Sequence, residues 1–159
     1  MARICRTWSP RLPKILTHKY TEARQGSALH NETNDCAVVA LALVASVPYS
    51  VAHNALKDAG RKDRKGTFRS EQFAALKALG FDGEIIPSED FISRYPGNHK
   101  NLKSVTTHHM DRFNKVWEDG KNYLIFTERH VGAVIDGVNH DWTKNKSRRV
   151  WSIVEIVKA

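Results

Sequence analysis

The sequence is poor in sulfur, and its histidines follow no metal-binding order. Two cysteines stand in 159 residues, Cys5 and Cys36, which is no disulfide framework and suits a reducing, cytoplasmic setting. There is no CxxC pair. None of the eight histidines has HExxH spacing, and His108 and His109, as direct neighbours, point in different directions on a helix. No metal site is expected, and no cofactor is required. No apolar run approaches the roughly 18 residues of a spanning helix. The opening "MARICRTWSPRLPKILTHKY" has no acidic residue, but it also lacks a continuous apolar core and a small-residue cleavage site. It does not read as a secretory signal, and no membrane contact is expected. Repeats and low-complexity segments are absent.

What is present fits an ordinary globular chain. Its length suits one domain, with 41% hydrophobic and 26% charged residues. The formal net charge of +8 is concentrated in segments that read as loops, "RKDRK" at Arg61 to Lys65 and "KNKSRR" at Lys144 to Arg149. Such loops either keep the protein soluble or contact nucleic acid or an acidic protein. The residues available for that contact are Arg61, Lys62, Arg64, Lys65, Arg148 and Arg149.

Periodicity divides the chain. Residues 1–30 lack a sustained pattern and are expected to form a basic arm lying on a single domain of residues 31–159. From Cys36, "CAVVALALVASV" is apolar nearly all round, the pattern of a central buried helix, with Asn34 able to cap it. A second helix fits "YSVAHNALKDAG", with Val51, Ala55, Leu56 and Ala59 on one face and Gly60 as its stop. "SEQFAALKALG" makes a third, with Ser70 as cap. "FDGEIIP" reads as a short strand, "SEDFISRYP" as one or two helical turns, and "TTHHMDRFNKVWEDG" as a further helix. "NYLIFT", "HVGAVI", "VNHDW" and "RRVWSIVEIV" then read as strands, the middle two joined by an Asp136-Gly137 hairpin turn. Helices first and an antiparallel sheet last make an α+β fold.

Cys36 stands at the mouth of the apolar helix, directly after three polar residues. Partial positive charge at a helix start favours a thiolate, and a histidine within reach would hold the released proton. His130 is the best placed of the eight, because it opens a strand just after the polar corner "TER". If Asp136 and Gly137 form the turn, Ile135 pairs with Val138 and Gly132 with Asp141. Asp141 then shares a face with His130 as a diagonal neighbour and is expected to orient the imidazole. Tyr49 and His53 are expected to pack the second helix against the core, and Trp117, Trp142 and Trp151 to serve as core or rim packing.

A cysteine opening the central helix, followed much later by a histidine and an acid on antiparallel strands, resembles the papain-like cysteine peptidase superfamily. The stretches "ETNDCAVVALALVASVPYSVAHNALKDAGRKDRKGTF" and "RHVGAVIDGVNHDW" are similar to small peptidase-like proteins encoded by bacteriophages, from about Glu32 to Trp142. The resemblance implies a papain-like fold and a catalytic triad of Cys36, His130 and Asp141. It also implies hydrolysis of peptide or isopeptide bonds, with a host or phage protein as substrate in the host cytoplasm. Where papain-like enzymes place an oxyanion-hole glutamine, about six residues before the cysteine, this chain has His30. Besides the Cys36 backbone N–H, the candidates for the missing donor are Asn34 and Asn31. A second function class stays open: a non-catalytic module of the same fold whose basic surface holds nucleic acid or an acidic host protein.

Overall fold

The structure is a computed structural model that describes residues 18–93, 117–118, 120–140 and 149–159. Its organising element is α2 (Cys36–Ala45), whose residues from Ala37 to Ala45 are all buried. A helix with no polar face must be enclosed on every side. Here α1 (His18–Leu29), α3 (Tyr49–Asp58) and α4 (Arg69–Ala78) pack around it, and strand β3 (His130–Ile135) closes the remaining side. The helix ends at Ser46 in the left-handed region, φ 55°. The Val47 N–H donates to the Ala42 carbonyl at 3.0 Å and closes the last turn.

Helix α1 is formed by 12 residues of the 30-residue stretch expected to be an arm. It carries few large apolar residues, so its period is faint in the sequence, yet Tyr20, Ala23 and Ser27 are buried. The Tyr20 ring stacks on His140 with centroids 6.0 Å apart. A Cβ on Gly26 would come within 2.4 Å of Tyr49 Cβ. Glycine is what lets α1 lie this close to α3.

Two helical details differ from expectation. Helix α3 buries Tyr49, Ala52, His53 and Leu56, while Val51 is 40% exposed. Of the face expected to be buried, Leu56 is fully enclosed and Ala55 and Ala59 pack partly against the core; Val51 alone turns outward, because Tyr49 and His53 take the inner positions with buried partners. Helix α4 begins at Arg69, and the Glu71 carboxylate accepts the Phe68 N–H at 2.8 Å. Ser70 therefore sits inside the first turn and is not its cap.

Among the described residues, five strands form one antiparallel sheet in the order β1 (Phe81–Ile85), β5 (Val150–Lys158), β2 (Asn122–Thr127), β3, β4 (Val138–His140). One face meets α2. The other carries a second apolar cluster, in which Tyr123, Ile125, Val134 and Ile153 pack with Trp117 and with Phe91 of α5 (Ser88–Ser93). The β3–β4 turn is formed by Asp136 and Gly137, at φ 51° and 77°, both left-handed as a type I′ hairpin requires. Its register is the expected one: Ile135 opposite Val138, Val134 opposite Asn139, Ala133 opposite His140.

The fold is thus α+β, helices preceding most of an antiparallel sheet. No single helix among the described residues is long and apolar enough to cross a membrane. Asp141, Trp142, Arg148, His108 and His109 lie outside the described residues. So does nearly all of the helix expected from "TTHHMDRFNKVWEDG"; Trp117 from it is buried, its ring centroid 4.9 Å from Tyr123 and 5.7 Å from Phe91.

Candidate active site around Cys36

The segment before α2 is tied down residue by residue. Glu32 places its carboxylate at the centre: Oε1 lies 2.8 Å from His53 Nε2, and Oε2 accepts from Arg61 Nη2 at 2.9 Å and from the Arg64 N–H at 3.0 Å. Burial by itself would raise this carboxyl. The hydrogen bonds from Arg61, His53 and Arg64 outweigh it and hold the pKa down at about 2. Arg64 Nε donates to the Asn31 carbonyl at 3.2 Å, and Asn34 Nδ2 donates to the Arg64 carbonyl at 3.3 Å.

These bonds correct the expectation for the basic loop. Arg61 is only 3% exposed and belongs to an internal ion pair, so it offers nothing to a partner. A buried guanidinium demands a carboxylate, and Glu32 is that carboxylate. Lys62, Arg64, Lys65 and Arg149 remain on the surface. The loop's first task is to clamp the residues that lead into Cys36.

Asp35 and Tyr49 form a second restraint. Asp35 precedes α2, but its side chain makes no cap hydrogen bond; it accepts the Tyr49 hydroxyl at 2.7 Å in a buried pair. Burial, then the hydrogen bond and charge of Asp35, push the Tyr49 phenol well above its ordinary range, so it stays a donor. Asn34, at φ 52°, directs its amide to the loop and does not cap the helix. Tyr49 and His53 both pack inward, as expected from the sequence.

Cys36, half-buried, is the first residue of α2, and its N–H is one of the four helix-opening donors that have no intrahelical acceptor. It lines a cavity of about 1140 Å³ together with His130, Thr127, Arg129, Asn34 and Gln72. Along β3, Val131 and Ala133 belong to the cluster around α2 and Val134 to the opposite one. Strict alternation would send His130 to the face away from Cys36. It is the terminal residue of the strand, beside a two-residue turn with Arg129 at φ 53°, and it is among the residues that line the cavity.

The remaining expected site residues are placed unevenly. Asn34 lines the cavity with its amide already engaged, whereas Asn31 does not line it. His30 is exposed, with Nδ1 2.9 Å from the Gly26 carbonyl. Asp136 stays at the turn tip, where Oδ1 accepts the Gly120 N–H at 3.4 Å. Trp151, 52% exposed, and Phe68, 77% exposed, flank the cavity; Trp151 therefore stands at its rim. Gln72 was not among the expected residues. It is 6% exposed on the face of α4 that also buries Ala75 and Leu76. A polar residue in line with that apolar face is the signal its sequence carries.

Glu32, His53 and Asp63 bring three potential ligand atoms within 4.8 Å of one another. The Arg61 guanidinium already lies on Glu32, so a cation there would face a fixed positive charge. The group is an ion-pair network with the chemistry of a clamp. Comparison with family models, curated proteins and solved structures finds no match to this chain.

Proposed function

We propose that the protein is a papain-like cysteine hydrolase that cleaves peptide or isopeptide bonds in a host or phage protein. The observation that carries the reading is that Cys36 and His130, distant in sequence, both line one cavity. A thiol at a helix start and an imidazole in the same cavity are the two groups that nucleophilic catalysis needs.

In this mechanism the Cys36 thiolate attacks the substrate carbonyl carbon and forms a C–S bond, while His130 holds the thiol proton. Collapse of the tetrahedral intermediate breaks the C–N bond, and His130 delivers that proton to the leaving amine. Water then attacks the thioester and forms a C–O bond as the C–S bond breaks. His130 takes the water proton and returns it to sulfur. Asp141, which lies outside the described residues, is the group proposed to orient the imidazole, as the family resemblance implies.

The charge around the cavity favours an acidic substrate. Lys65, Arg69 and Arg129 line it, while its two carboxylates, Glu32 and Asp35, are held by groups of the protein itself. The Arg69 guanidinium lies 4.5 Å above the Phe126 ring and bonds the Ser152 hydroxyl, which fixes one cation at the wall. Incubation with mixed synthetic peptides, with new termini read by mass spectrometry, tests the reading. Wild type is expected to cut acidic peptides at low salt, Cys36→Ser to cut none, and Lys65→Glu with Arg129→Glu to raise KM for the acidic ones. The same cations and flanking aromatics suit the rival reading, a binding module. That reading takes over if no peptide is cut and nucleic acid is held with an affinity that falls steeply with salt.

A further inference from the structure

Among the described residues, six that are not glycine adopt a left-handed φ: Asn31, Asn34, Ser46, Arg64, Arg129 and Asp136. Asparagine and aspartate tolerate that region, whereas a long side chain there is strained. Ser46 ends α2, and Arg64 is held by Glu32 and the Asn31 carbonyl. Arg129 has neither role. It is exposed in the two-residue turn between β2 and β3, a place where glycine or asparagine would cost least. Among the described residues no carboxylate pairs with its guanidinium, and its turn neighbour Glu128 does not line the cavity while Arg129 does. Strain kept at a cavity wall points to a use for the side chain.

We infer that the Arg129 guanidinium selects the substrate, by holding a carboxylate on the residue that supplies the leaving amine. This rests on the hydrolase reading above. In that mechanism His130 meets the leaving amine, and one peptide bond joins Arg129 to it, with Cα atoms about 3.8 Å apart. The planar fork of an arginine matches a carboxylate through two parallel N–H···O bonds. The carboxylate comes from an acidic side chain or from a chain terminus, which two pairs of probes distinguish.

The leaving-group side is sampled by running the amine step in reverse, in a Cys5→Ser background so that Cys36 is the one thiol. p-Nitrophenyl acetate forms a C–S bond with Cys36 and expels p-nitrophenolate. An added amine then attacks the thioester, a C–N bond forms as the C–S bond breaks, and His130 carries the amine proton to sulfur. Glycine against glycinamide presents a terminal carboxylate or none. Aspartate α-amide against asparagine amide presents a side-chain carboxylate or none. The capture ratio within each pair is compared between wild type and variants, so that intrinsic amine reactivity cancels. Arg129→Asn and Arg129→Gly both suit the left-handed turn and are expected to melt at or above the wild-type temperature. Both are expected to lower the ratio of at least one pair by about 10- to 100-fold, the worth of a charge-assisted hydrogen bond. Ratios unchanged in both pairs, or a lower melting temperature in both variants, overturn the assignment of Arg129 and leave the hydrolase reading intact. A wild-type Cys36 that p-nitrophenyl acetate never acylates overturns both.

Discussion

Replacing Glu32 by alanine is expected to lower the unfolding free energy by about 3–5 kcal/mol, the cost of leaving a buried cation without its partner. Arg61 and Glu32 side chains are each 1% exposed, and the variant would strand the Arg61 guanidinium and remove the acceptor of the Arg64 N–H. Thermal and urea unfolding check it; a loss well under 1 kcal/mol would mean that the clamp is dispensable. The pH dependence has a definite sign. The folded carboxyl titrates near 2 and the free one at 4.5, so its stabilising contribution is complete above about pH 4.5. It is lost as pH falls from there toward 2. Glu32→Gln should flatten the stability profile over that window and leave its shape near neutrality unchanged.

Replacing His130 by alanine is expected to slow peptide hydrolysis by about 100- to 10,000-fold, the range for loss of a positioned general acid and base. Asp141→Asn should cost less, because a thiol nucleophile needs less help from its base than a hydroxyl does. Asp136→Asn should leave turnover near wild type, asparagine being well suited to a left-handed turn position. These three rates, each measured with a native melting curve, check the assignment. If Asp136→Asn abolishes turnover and Asp141→Asn does not, the acid of the triad has been assigned wrongly.

Local signals carried much of this architecture. Helix α2 is legible because "CAVVALALVA" has no face to give to water, and the β3–β4 hairpin because an Asp-Gly pair sits between two apolar runs. The positions of Cys36 and His130, each at the start of its element, followed from those boundaries. What escaped depends on partners remote in the chain. Nothing near Arg61 announces that Glu32 will bury it, so the loop reads as surface. Val51 turns outward for the same reason: the remote Glu32 carboxylate holds His53 at the inner position of α3. Helix α1 hides because it packs through one tyrosine, an alanine and a serine. Gln72 interrupts the α4 core face as a polar residue, and only the folded structure shows that it lines the cavity.

The central claim is that Cys36 is a nucleophile served by His130. Intact-mass spectrometry of the protein treated with an acidic peptidyl electrophile, followed by peptide mapping, addresses it directly. The account predicts one adduct per chain, located on Cys36, formed far more slowly in His130→Ala and absent in Cys36→Ser. An adduct that forms on Cys36 at the same rate with and without His130, or no adduct on Cys36 at all, would contradict it.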